Sequence, residues 1–135
     1  MQQKSVLTHD DVQAILSAAR AHAQAHGWAV TIAVADDGGH LLGLVRLDGA
    51  APLSSHIAPA KAHAAAVGRR ETKGFEDMIN GGRTAFLSAP LVQGMLEGGV
   101  PIVVSGQVVG AVGVSGVKSN EDAEIASSGI AALNA

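Results

Sequence analysis

The chain has 135 residues, no cysteine and a net charge of −3 at pH 7. That length makes one domain, residues 1–135, able to bury about two-thirds of its unfolded surface, and the lack of cysteine excludes disulfides, thiol catalysis, thiolate metal sites and iron–sulfur ligation. Scattered Lys and Arg, with two Phe, one Trp and no Tyr, provide neither the basic footprint nor the stacking platforms that nucleic acid requires.

The N-terminal MQQKSVLTHDDV has no apolar signal-peptide core, and no uncharged run reaches membrane length. No membrane association and a cytoplasmic location are therefore expected. A hydrophobic fraction of 47% beside 16% charged residues is high for so small a domain, so part of that surface is expected to lie between subunits of a homo-oligomer.

Thr8 to Gly27 reads as the first helix. Thr8 caps it, Asp10 and Asp11 suit its first turn, Val12, Ile15, Leu16, Ala19 and Ala23 share one face, and Gly27 ends it. His22 and His26 are four apart, a spacing at which two imidazoles can share a metal; His26 falls inside the apolar stripe and His22 at its edge. No carboxylate or third histidine adjoins them in sequence. The pair reads as structural or interface histidines, or alternatively as metal or haem ligands.

Ala29 to Ala35 alternates Val30, Ile32 and Val34 with small residues, Leu41 to Leu47 is a second strand, and Asp36-Asp37-Gly38-Gly39 is the turn of an antiparallel hairpin. Arg46 and Asp48 close the second strand, either as a rim ion pair or as holders of an anionic ligand. Ser54 to Gly68 is the second helix, with Pro59 expected near its first turn. His56 and His63 share a face of it but lie about 10 Å apart along the axis, too far to chelate one metal. Lys61 is the lone cation amid small apolar residues. It is either a snorkelling surface lysine or the partner of an anion or carbonyl in a pocket, and it points roughly 200° away from His63.

Thr72 is expected to cap a short helix carrying Phe75, Met78 and Ile79 that Asn80-Gly81-Gly82 ends. Arg83 follows as a loop residue or an anion contact, and Leu91 to Leu96 as a short edge strand. The stretch from Gly98 to Ile125 is the part around which the chain is organised. Ile102–Val104 and Val108–Val114 are strands joined by a Ser105-Gly106-Gln107 turn. The second is apolar on both faces and belongs in the middle of a covered sheet. Gly110, Gly113 and Gly116 imply close approach of another backbone, a partner or a ligand; their GxxGxxG spacing is not a dinucleotide fingerprint, and Lys118 follows Val117 rather than the glycine of a phosphate loop. Ser115 stands one residue short of the register of a serine nucleophile motif. Ser119 is expected to cap the last helix, Asn120 to Asn134, with Glu121, Asp122 and Glu124 near its positive end and Ala123, Ala126, Ile130 and Leu133 buried.

Three segments, DDGGHLLGLVRLDGA at 36–50, SSHIAPAKAHAAA at 54–66, and GGVPIVVSGQVVGAVGVSG at 98–116 with NEDAEIASSGIAAL at 120–133, resemble the GlcG/HbpS family. That family includes haem-binding proteins and the C-terminal domain of PduO-type proteins. Two positions depart from its pattern, Ala64 for Thr and Glu97 for Pro. The resemblance implies an α/β fold, a single layer of about five largely antiparallel strands with helices on both faces, assembled into dimers or larger rings, octamers among them. It also implies binding of a small ligand, haem or a related tetrapyrrole, with a histidine the strong axial ligand besides Met78 and Met95; the His56–His63 face of the second helix is the expected catalytic or haem-proximal face, and the i, i+4 pair His22 and His26 are further candidate cofactor ligands.

A second reading is a small cofactor-independent enzyme, a hydrolase, lyase or isomerase acting on an anionic metabolite. There His63 or His56 serves as general acid or base and Lys61 and Arg46 bind carboxylate. Its site is expected between the second helix and the sheet end formed by Arg46 and the Gly116–Glu124 turn, with Asp48, Arg83, Ser115, Asp122 and Glu124 as further ligand-binding candidates. No transition metal is expected on protein ligands alone, because His22 and His26 have no third ligand near them in sequence and His56 and His63 are too far apart along their helix.

Overall fold

The computed structural model describes residues 1–134. Its elements run α1 (His9–Ala25), β1 (Thr31–Asp36), β2 (Leu41–Arg46), α2 (Ser54–Gly68), α3 (Thr72–Asn80), β3 (Gly99–Val104), β4 (Gln107–Ser115) and α4 (Ser119–Ala131), with short 3₁₀ turns at Thr84–Ser88 and Ala132–Asn134. The four strands form one antiparallel sheet in the order β2-β1-β4-β3. Two local hairpins are thus joined through their first and last strands. β4 lies in the middle, buried from Val109 to Ser115, as its apolar run predicts.

Alternation along β1 separates two faces. Ile32 and Val34, opposite Val114 and Val112, point into a cluster with Val12, Ile15 and Leu16 of α1 and Ile125 and Ala126 of α4. Ala33 and Ala35, opposite Gly113 and Ala111, face α2, whose Ala58 and Ala62 pack directly on them. A Cβ on Gly113 would collide with the Ala58 carbonyl oxygen and the Ala62 nitrogen. The close backbone approach expected at this glycine is therefore made by α2.

Local signals hold α1 where the sequence places it. Thr8 is its N-cap: the Thr8 hydroxyl accepts from the Asp11 N–H at 3.1 Å while the Asp11 carboxylate accepts from the Thr8 N–H at 2.8 Å. The buried residues of α1 are the five that share its predicted face. The β1–β2 turn is organised by Asp36, whose Oδ1 accepts from the Gly38 and His40 N–H groups, both at 2.9 Å. Ser105 and Gly106, both at positive φ, form a two-residue turn between β3 and β4, one residue shorter than the expected Ser105-Gly106-Gln107.

Five local expectations are corrected. The fifth strand, Leu91 to Leu96, is a loop, because Leu91 and Gly94 take left-handed φ values of 63° and 68° that no extended strand accommodates. Pro59 sits in the second turn of α2, where its missing N–H leaves the Ser55 carbonyl without its helical partner. Thr72 lies inside α3 rather than capping it, and its hydroxyl accepts from the Gly99 N–H at 2.8 Å, tying α3 to β3. The N-cap of α4 is Lys118, not Ser119, and the Glu121 carboxylate accepts from its N–H at 3.3 Å. The buried stripe of α4 runs Asp122, Ile125, Ala126 and Gly129, rotated from the predicted one, because a charged residue heads it.

Candidate functional site

The residues singled out in the sequence fall into three places. The first is buried between α2, β4 and the start of α4. Lys61 is 3% and Asp122 2% exposed; the Lys61 Nζ donates to the Val114 carbonyl at 2.8 Å and to Asp122 Oδ2 at 3.2 Å. The other carboxylate oxygen accepts from the Val117 N–H at 3.2 Å. Burial raises the Asp122 carboxyl above the ordinary carboxylate range, and attraction to Lys61 and the Val117 hydrogen bond only partly draw it back. Gly98, at φ +133°, makes room for the ammonium: a Cβ there would lie 2.6 Å from Nζ. Lys61 is therefore not a snorkelling surface lysine: its ammonium is interior and partners a carbonyl and the Asp122 carboxylate at the acidic start of the last helix.

At the same end of the sheet, Arg46, Thr31 and Ser115 fall in one row across β2, β1 and β4. Thr31 and Ser54 share a buried hydroxyl hydrogen bond of 2.8 Å. Arg46 donates through Nε and Nη2 to the Ala50 carbonyl at 3.2 and 3.0 Å, so its guanidinium closes the Asp48-Gly49 turn and, among the described residues, pairs with no carboxylate.

The second place is the opposite side of α2. The His63 Nδ1 is 3.0 Å from the Gly39 carbonyl oxygen in the β1–β2 turn, and its Nε2 is 3.1 Å from the Leu91 carbonyl oxygen in the loop before β3. The ring borders a cavity of about 370 Å³ lined by Ala60, Leu87, Leu91, Val92 and Gln93. Both ring nitrogens face carbonyls. His56 is exposed on the same helix and outside this cavity, and Arg83 is exposed in the loop after α3.

The third place joins the C-terminal end of α1 to α4. His22 Nε2 lies 2.7 Å from Glu124 Oε2. His26, the exposed C-cap of α1, has Nδ1 2.9 Å from the His22 carbonyl oxygen. That carbonyl can only accept, so Nδ1 carries the proton and the Nε2 lone pair is left for a ligand. The Trp28 ring stacks on His26 with centroids 4.3 Å apart, and the two imidazoles are 4.6 Å apart. Among the described residues, His22, His26 and Glu124 form a group of three ligand-bearing side chains whose donor atoms all lie within 4.8 Å of one another.

The fold therefore does not gather the sequence candidates into one site. Lys61, Asp122 and Ser115 are interior, His63 borders a cavity on the other side of α2, and Glu124 joins the histidine pair of α1. Sequence reading placed Glu124 at a helix start without its partner, 102 residues away, and assigned no role to Trp28. The lone tryptophan directly after a helix-ending glycine, two residues from a histidine, was the available signal.

Comparison with known proteins agrees with this architecture. Protein GlcG of Escherichia coli strain K12 is 56% identical over 115 residues, 85% of each chain. The crystal structure of Klebsiella pneumoniae protein ORFY superposes with a TM-score of 0.92 at 28% identity, over 100% of this chain and 95% of that one. The crystal structure of a PduOC:heme complex does so with a TM-score of 0.87 at 29% identity, over 96% of both chains. Residues 7–131 match the family described as haem degrading protein HbpS-like, and the chain belongs to that HbpS-like family.

Proposed function

We propose that this protein is a haem-binding homo-oligomer whose iron ligand comes from the His22–His26 pair. The observation that carries the reading is the setting of His26: its ring is exposed and its Nδ1 lies 2.9 Å from the His22 carbonyl oxygen, a contact that assigns the proton of the neutral imidazole to Nδ1 and leaves Nε2 to face a ligand. A backbone hydrogen bond on the far nitrogen fixes both tautomer and ring plane, as iron ligation requires. Trp28, stacked on the same imidazole, adds a flat apolar surface suited to a porphyrin edge. The structural likeness to a haem complex in the same family supports the choice of ligand. Bound haem would supply redox chemistry at its iron; the chain's part is to hold the ring and limit solvent at its exposed face.

The assembly is read from a surface separate from the histidine pair. Leu41, Leu42 and Leu44 of the edge strand β2 are 55%, 42% and 39% exposed, an apolar strip of the kind that subunit contacts cover. Hemin titration followed by the Soret band, with light scattering on the same samples, tests both parts. Parent protein is expected to bind hemin with a mass of at least two chains. His22→Ala/His26→Ala is expected to bind it more than tenfold more weakly, equivalent to about 1.4 kcal/mol, at unchanged mass. An unaltered Soret band in the double variant refutes the histidine assignment, and a monomer refutes the assembly.

A further inference from the structure

We infer that His22, His26 and Glu124 also form a chelating site for a bare divalent ion of the zinc class, independent of any porphyrin. The expectation from sequence, that no transition metal is held by protein ligands alone, rested on the missing third ligand. The packing of α4 against α1 brings Glu124 to 2.7 Å from His22, and the three donor atoms lie within 4.8 Å of one another. Tetrahedral zinc has Zn–N of about 2.0–2.1 Å and Zn–O of about 2.0–2.2 Å, which sets its ligand atoms about 3.3 Å apart. The His22–Glu124 contact needs to open by a fraction of an ångström and the wider separations to close by about 1.5 Å. Rotation of the His22 and Glu124 side chains toward the held His26 ring suffices, because they are 29% and 53% exposed.

The donor set selects the ion. Two imidazoles and one carboxylate suit zinc, cobalt or nickel, whereas the all-oxygen shells of calcium and magnesium are absent. The two histidines, at i and i+4, project from one helix side, and the His26 Nδ1 hydrogen bond leaves Nε2 as its donor. Two donors come from α1 and the third from α4, so an ion would cross-link the chain's first and last helices. Three protein ligands leave a fourth position for water or an exogenous group.

This site shares its histidines with the haem reading but not Glu124, which separates the two experimentally. Untagged protein titrated calorimetrically with Zn²⁺ is expected to bind one ion per chain, and Co²⁺ at the same site to give the visible bands of tetrahedral coordination. Glu124→Gln is expected to lower zinc affinity at least about tenfold and leave the hemin Soret titration unchanged. His22→Ala/His26→Ala is expected to weaken both more than about tenfold. Zinc binding equal in the parent and Glu124→Gln, or no stoichiometric binding by the parent, overturns the metal site and leaves the haem reading standing. Loss of hemin binding in Glu124→Gln overturns the claimed independence.

Discussion

On the α1/α4 side of the sheet, β1 and β4 present Ile32, Val34, Val112 and Val114 to Val12, Ile15 and Ile125. On the α2 side the same two strands present Ala33, Ala35, Ala111 and Gly113, and the helix answers with Ala58, Ala62, Ala65 and Ala66. The first side is held by volume, with branched side chains filling the gap between layers. The second is held by proximity, with backbone lying almost on backbone. The chain buries a cation on the second side: Lys61 of α2 lies there, reaching Asp122 at the start of α4, together with the hydroxyls of Thr31, Ser54 and Thr72. Small side chains leave carbonyls and amides within reach, so a buried polar group finds partners that an isoleucine layer would withhold. Among the described residues, no buried side-chain nitrogen or oxygen lacks a hydrogen-bond partner.

The largest expected effect tests the charged core of the close side. Lys61→Ala leaves Asp122 buried without its cation and is expected to cost about 3–5 kcal/mol in urea denaturation. Lys61→Met/Asp122→Leu, which removes both charges, is expected to recover most of that loss. A single variant as stable as the parent would show that the ion pair contributes no net stability, and the contrast between the two sides would shrink to side-chain size alone.

An exchange of volume between the two sides comes next. Ile32→Ala is expected to lose about 2–5 kcal/mol by opening a cavity. Gly113→Ala is expected to lose about 1–3 kcal/mol for the opposite reason, since the added methyl meets the α2 backbone at Ala58 and Ala62. If Gly113→Ala is neutral, α2 can lift from the sheet without penalty and proximity does not hold that side.

Proximity was legible in the sequence, and the match between its two partners was not. The GxxGxxG spacing announced a close neighbour and the alanines of α2 a close-packing helix, but the two could be matched only once the order β2-β1-β4-β3 was in hand. The first helix read correctly because a 3.6-residue stripe of five apolar residues encodes its own burial. The last helix read a face off, since Asp122 looks solvent-bound until Lys61, 61 residues earlier, neutralises it. Leu91 misled for a backbone reason: β propensity cannot reveal a left-handed φ imposed by a loop. The site was half legible, in the i, i+4 histidines; Glu124 reaches them only through tertiary packing.

The smallest expected effect is in acid, where exposed and buried carboxylates should act with opposite sign. Burial pushes Asp36 up, but the His40 N–H and imidazole and the Gly38 N–H together outweigh it, leaving its pKa lowered. Hydrogen bonds with the Thr8 backbone and side chain lower Asp11. These two stabilise the fold above the unfolded carboxylate pKa, about 3.9, and that stability is lost as pH falls through their lowered folded values. Asp122 runs the other way: its raised pKa gives a contribution that is fully present below the unfolded value and lost as pH rises through the folded one. Urea denaturation between about pH 3 and pH 7 is expected to show a shallower acid decline in Asp36→Asn and a steeper one in Asp122→Asn. The same profile in both variants would remove the electrostatic part of the contrast.

The stacking of Trp28 on His26 gives the molecule a built-in optical reporter. It is the only tryptophan, and there is no tyrosine, so near-ultraviolet emission comes essentially from one indole whose ring centroid lies 4.3 Å from that of a candidate ligand. A haem at the histidine pair would quench it by energy transfer and a paramagnetic ion by contact, whereas zinc would alter it only through movement of the imidazole. Occupancy and the kind of occupant can therefore be followed in one cuvette without attaching a label.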